Sequence, residues 1–304
     1  MSDTATATPV DLLRSLAVLA EPPTPEVERL APLVGLAAVP SVSDYADVFL
    51  FQLYPYASAH LGAEGMLGGE ARARIAGFWH AVGQRPPAEP DHLAALLGLY
   101  VSLAERGAGA STAEAVLRDE ACAALLHEHV APWVFAYLER VQELAGEAYA
   151  GWAERLCAVL RAEVEQRLDG DRPLPVHLQA APALPDPRTD GGEAFVKGLL
   201  SPVRSGIIVT RADLAQLAGR VGLGLRAGER RYALEHLLGL DPGPVLMAIG
   251  DAAARQSARH AARRSWLGET AEFWRARAEA CAALCRELAE ATAPAGNAPA
   301  TTSA

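Results

Sequence analysis

The chain has 304 residues, half of them apolar, and a net charge of −10. This length supports one large domain or two modest ones with real cores, and the apolar share excludes a disordered chain. Alanine and leucine dominate while aromatic and β-branched residues are sparse, which favours helix over strand.

No uninterrupted run of about 18 apolar residues occurs, so neither a membrane span nor stable membrane association is expected. The start, MSDTATATPVDLLRSLAVLAEPP, lacks a basic stretch before its short apolar run and does not read as a secretion signal. Four cysteines without framework spacing fit a reducing cytoplasm. The charge is uneven: residues 1–170 hold 11 Lys/Arg and 23 Asp/Glu, whereas residues 171–304 hold 16 and 14. The acidic half would attract cationic partners and repel nucleic acid.

Along the chain, Thr8-Pro9 and Thr24-Pro25 are cap-plus-first-turn signatures and open helices of about 9–20 and 25–37. Ser43 is the expected cap of the next helix, whose Tyr45, Val48, Phe49 and Gln52 share a face. Residues 54–67, broken by Pro55 and small residues, read as a loop. A helix follows at about 69–82 on the spacing of Ile75, Phe78, Trp79 and Val82. After the loop QRPPAEP, helices are expected at 91–106, 111–127, 131–145 and 147–168. Ser111 with Glu114 has capping-box spacing, and Pro132 suits a first turn. Residues 169–192 carry five prolines and no periodicity, so they form a linker or a surface strap. Two long helices, about 243–264 and 268–291, precede a tail expected to be disordered. The division is N-terminal helices 1–40, a core 41–168, the Pro-rich linker 169–192, a helical extension 193–291 and the tail 292–304.

Several groups carry candidate chemistry. Asp91 and His92 adjoin just after Pro90. At a helix start, Asp91 or Glu89 is a ready cap and His92 would face solvent. Neighbours there diverge by about 100°, so adjacency makes no dyad. Without G-x-S-x-G or C-x-x-C, no catalytic residue is assigned and no enzyme is expected. His127-Glu128-His129 lacks the spacing of a helical zinc pair, and Cys281 and Cys285, four apart, read as a buried helix face; no metal or other cofactor is expected. Gly222, Gly224 and Gly228 read as turn glycines. Arg204, Arg211, Arg220, Arg226, Arg230 and Arg231 meet only Asp213 and Glu229 as acids within 204–231, and Arg255, Arg259 and Arg263 form a stripe at i, i+4, i+8. Residues 210–238 loosely suggest helix–turn–helix.

The order of features over about 40–170 resembles the TorD/DmsD/NarJ family of redox-enzyme maturation chaperones. It is carried by Tyr45–Phe51, the Tyr54–Ser58 stretch, the Glu89-Pro90-Asp91-His92 loop and Glu128–Trp133. The resemblance implies an all-α, TorD-like helical bundle, here with a C-terminal helical extension. It implies a cytoplasmic chaperone that binds the twin-arginine signal peptide and apo-form of a molybdenum-cofactor oxidoreductase, assists cofactor insertion and delays export. Glu89–His92, with Ser58 and Glu128, would belong to the peptide-binding surface. Charge and apolarity agree with this, since carboxylates take arginine forks and an apolar groove buries a signal's apolar stretch. Asp91 would offer charge, His92 an adjustable donor or acceptor, and Tyr54, Tyr56, Trp79 and Trp133 are candidate groove aromatics. Arg204, Arg211, Arg255, Arg259 and Arg263 are possible anion or partner contacts, the partner including the chain's own acidic half. The alternative is a helical DNA- or partner-binding regulator acting through 204–264.

Overall fold

A computed structural model of the chain describes residues 8–105, 111–168, 172–224 and 228–292. Helices dominate, and the only β pairing among the described residues is a single antiparallel bridge between Tyr56 and His92. The expected tail from 293 onward and Arg226 lie outside the described residues.

The N-terminal helices are α1 (Pro9–Val18), α2 (Pro25–Leu33) and α3 (Val42–Tyr45), the last running into a π-helical turn, Ala46–Leu50. Thr8 and Thr24 cap as expected, each accepting a backbone N–H of the first turn. The cap of α3 is Ser41 and not Ser43: Ser41 and Asp44 form a reciprocal capping box. The stretch expected as a loop contains α4 (Ala57–Leu61). There follow α5 (Gly69–Ala81), α6 (Leu93–Glu105), α7 (Thr112–Leu125), a second π turn (Leu126–Val130), α8 (Ala131–Leu144) and α9 (Glu147–Arg167). Ser111 and Glu114 form the expected capping box, and Pro132 sits in the first turn of α8.

Packing places α1 on α6 and α9, and α8 along α9. Their apolar faces form one core around Phe49, Tyr100, Trp133, Tyr137 and Trp152. Fully burying one such leucine-sized side chain contributes about 1.5–3 kcal/mol. Buried polar groups are tied in: Trp152 Nε1 donates to Leu16 O at 2.9 Å, and Tyr100 donates to Glu163, with Arg167 Nε donating to the Tyr100 oxygen at 2.6 Å.

The proline-rich segment is a strap. Its α10 (Val176–Gln179) and α11 (Pro187–Asp190) are single turns. Leu178 is completely buried in the core, and Arg277 donates to the carbonyls of Ala181 and Pro182. The extension comprises α12 (Gly192–Leu199), α13 (Pro202–Ser205), α14 (Arg211–Arg220), α15 (Arg230–Leu240), α16 (Pro242–Ala262) and α17 (Arg264–Thr292), which bends at Gly268. Helices α16 and α17 pair along their length over a second apolar cluster that includes Cys281 and Cys285. Gly206 lets α13 meet α17: its φ is +75°, and a Cβ there would lie 2.2 Å from Ala278 N.

Two structural themes join the extension to the lobe. Apolar contacts come from Val203 and Trp274, which enter the first core, and Trp274 Nε1 donates to Pro132 O at 2.6 Å. Charge contacts come from the arginine stripe. Arg263 Nη2 reaches Glu139 at 2.5 Å and Arg259 reaches Glu143. In the reverse direction, Arg140 of α8 grips Asp213 with both oxygens at 2.6 and 2.7 Å. Asp213 is also the capping-box acid of α14, closing on Thr210. One carboxylate thus starts a helix and anchors it to the lobe.

The interior histidines set a pH response. Burial depresses His60 and His260 to about 4 and His129 to about 3. They are neutral in the folded chain but protonate near 6.5 once unfolded, so the unfolded state binds more protons below that value. Stability contributed by these sites is complete above pH 6.5 and is lost as pH falls towards 4. Denaturant midpoints at pH 7.5, 6 and 5 are expected to fall in that order, with the steepest loss between the last two. A flat profile would show that these imidazoles are not buried neutral.

Candidate functional site

The two motif-bearing stretches, Tyr54–Ser58 and Glu89–His92, are knitted to each other by their backbones. Ala57 N donates to Asp91 O at 2.9 Å and Leu93 N to Pro55 O at 2.8 Å. Pro55 and Pro90 suit this pairing, since neither position needs to donate an N–H to it. The loop is held from outside by Arg72, which donates to Ala88 O at 2.7 Å, and by Trp79, whose Nε1 donates to Pro90 O at 3.2 Å.

Asp91 and His92 therefore face inward. Asp91 is 1% exposed and its Oδ2 accepts the Ser58 N–H at 3.2 Å. It caps no turn of α6. That role falls to His92, whose Nδ1 accepts the Ala94 N–H at 3.2 Å. Burial pushes the His92 pKa down, against the opposing pull of Glu21, Glu89 and Asp91. The solvent-facing imidazole expected of a plain cap, and an Asp91 offered to a ligand, are both corrected by this burial. Ser58 is likewise buried; its hydroxyl accepts the Gly68 N–H at 3.0 Å and fixes the start of α5.

What the motif exposes is Glu89. Its Oε2 accepts the Tyr56 hydroxyl at 2.7 Å, and the Tyr56 ring stands edge-on to His92. Burial and the Glu89 carboxylate push the Tyr56 pKa up, so the phenol stays a donor. Glu21, from the turn after α1, brings Oε1 to 3.6 Å from His92 Nδ1 and is about half exposed. Two surface carboxylates, Glu21 and Glu89, thus flank one imidazole. Sequence reasoning missed Glu21, because nothing in its local pattern links it to a loop about seventy residues away.

The other expected site residues divide. Trp133 is 1% exposed and stacks on His60 inside the core, where it borders an internal space of about 10 Å³ rather than a peptide-sized groove. Trp79 is half-buried and spends its indole on the loop. Glu128, beside His127 and 3.6 Å from His177, is held by imidazoles of the strap side and its pKa is lowered by them. Tyr54 lies on the far side of Pro55 from Tyr56 and lines a groove of about 450 Å³ with Phe51, Met66, Leu200, Lys197 and Arg211. Phe51 and Met66 there are 50% and 70% exposed.

Of the five arginines expected to meet an anion or a partner, Arg204, Arg259 and Arg263 meet the chain's own lobe. Arg204 donates to Ala63 O at 2.7 Å and the other two pair with α8 carboxylates. Arg211 and Arg255 have no ion pair among the described residues. Helices α14 and α15 occupy the loose helix–turn–helix stretch, but Arg230 is turned inward, donating to Val209 O, and Arg231 pairs with Glu193 and Glu235. Among the described residues no helix is long and apolar enough to cross a membrane.

No curated protein matches the chain. Residues 38–139, which hold both knitted stretches, Trp79 and the start of α8 but not Glu21 or the extension, are similar to the nitrate reductase delta subunit family.

Proposed function

We propose that this protein is a non-enzymatic maturation chaperone for a molybdenum-cofactor oxidoreductase. In this reading it works in the cytoplasm, holds the apo-enzyme through the client's twin-arginine signal peptide, and delays export until cofactor is in place. The observation that carries the reading is the family match over the segment where Tyr54–Ser58 and Glu89–His92 are zipped into one frame.

The frame residues and the contact residues are different. Asp91, His92, Ser58 and Pro90 hold the shape; Glu89 and Glu21 meet the peptide. A guanidinium takes a carboxylate by a fork of two hydrogen bonds, and two carboxylates beside one another suit two successive arginines. The apolar stretch of the peptide is assigned to the groove where Phe51, Tyr54, Met66 and Leu200 stand among charged rim residues such as Lys197 and Arg211. Tyr54 is two residues along the chain from Tyr56, the partner of Glu89. Inward use of Arg204, Arg230, Arg259 and Arg263 favours this reading over a phosphate-binding regulator, whose arginines would need to face out.

The test is retention of the full chain on immobilised signal peptides with intact Arg-Arg or substituted Lys-Lys. Lysine keeps the charge but loses the planar fork, so about ten-fold weaker retention is expected. Equal retention, or none on either peptide, would remove the proposal.

A further inference from the structure

The joint between lobe and extension carries a cavity of about 180 Å³ whose lining lies wholly outside the family match. Its apolar wall is Ile207 and Val209 before α14, Leu214 and Leu217 one turn apart on α14, and Ile249 of α16. Arg140 and Arg259 also line the cavity, already matched by Asp213 and Glu143. At the mouth sit Arg220 and Arg255, both exposed, and neither has a hydrogen bond or ion pair among the described residues. Arg140 is itself 9% exposed, and its Nε–H is buried without an acceptor.

We propose that this cavity binds a small organic anion with one ring-sized apolar body and one oxyanion head. Its chemistry follows from the lining. Four guanidiniums face two carboxylates, so the cavity carries a surplus of two positive charges at its mouth. A cleft with low-dielectric walls focuses such a field on an entering anion. Guanidinium forks match the oxygens of a phosphate or carboxylate. The apolar lining favours an occupant with an apolar body over a purely inorganic ion. Size agrees: an apolar cavity of about 150 Å³ accepts a benzene ring, so 180 Å³ takes a ring and leaves the head at the mouth. Bound there, the ligand touches both lobe and extension. The inference is independent of the peptide surface, which uses none of these residues.

The experiment is calorimetric titration of the full chain with phenyl phosphate, benzoate and inorganic phosphate at constant ionic strength. The same titrations are made on the double variant Arg220→Ala/Arg255→Ala, whose two side chains are exposed and make no hydrogen bond or ion pair among the described residues. Expected is saturable one-to-one binding of phenyl phosphate or benzoate, about ten-fold tighter than inorganic phosphate and weakened about ten-fold in the variant. The tighter of the two aromatic anions identifies the head as phosphate or carboxylate. Absence of saturation with both, a preference for inorganic phosphate, or undiminished binding by the variant would overturn the site.

Discussion

Replacing Arg140 by alanine is expected to lower the folding free energy by about 2–4 kcal/mol. The residue is nearly buried in α8 and its guanidinium satisfies Glu143 and both oxygens of Asp213. Removing one partner of a buried pair leaves the other charge uncompensated, which costs more than the pair contributes. The partners are about a third exposed, so water offsets part of the loss and the lower half of that range applies. The consequence is also local. Asp213 caps α14, so a released carboxylate frays the helix start and loosens the extension. A double-mutant cycle with Asp213→Ala measures the coupling directly, with additive losses expected only if the two residues act apart. Protease cleavage in the 172–190 strap should rise in parallel, because the strap is held partly by Arg277 of the same extension.

Asp91→Ala is expected to cost about 2–3 kcal/mol, read as a fall in denaturant midpoint. The change deletes the acceptor of the Ser58 N–H inside a site that water does not reach. An amide N–H orphaned there loses its full solvation, and the knitted frame of the two stretches loosens with it. Asp91→Asn keeps an acceptor oxygen in place and should cost less than half as much. If alanine and asparagine were equally mild, the carboxylate would be no part of the frame and its burial would have no structural account.

Much of this was legible in local sequence. Caps follow a rule of two or three positions, so Thr8, Thr24 and Ser111 announce their helices, and Pro132 announces a first turn. Ser41 escaped because Ser43 stands nearer the apolar run, although Ser41 and Asp44 already have the capping-box spacing in the sequence. The period of Arg255, Arg259 and Arg263 reveals a stripe, but a period does not name the facing surface; Glu139 and Glu143 are more than a hundred positions away. The same limit governs the site. E-P-D-H reads as a cap offered to solvent until the backbone of residues 55–58 is laid against it. That pairing reverses the roles, sending Asp91 and His92 inward and leaving Glu89 outside with Glu21.

The most direct measurement is therefore the affinity of one twin-arginine peptide, by fluorescence anisotropy at low and physiological salt, for three proteins. These are the unaltered chain, Glu21→Gln/Glu89→Gln and Asp91→Asn. Loss of two charge-assisted contacts predicts about ten- to hundred-fold weaker binding by the glutamine pair, with a smaller salt dependence. Asp91→Asn, still folded, should bind within about two-fold of the unaltered chain. Unchanged binding by the glutamine pair, or a selective loss in Asp91→Asn, would contradict a surface in which the buried motif shapes and the exposed glutamates bind.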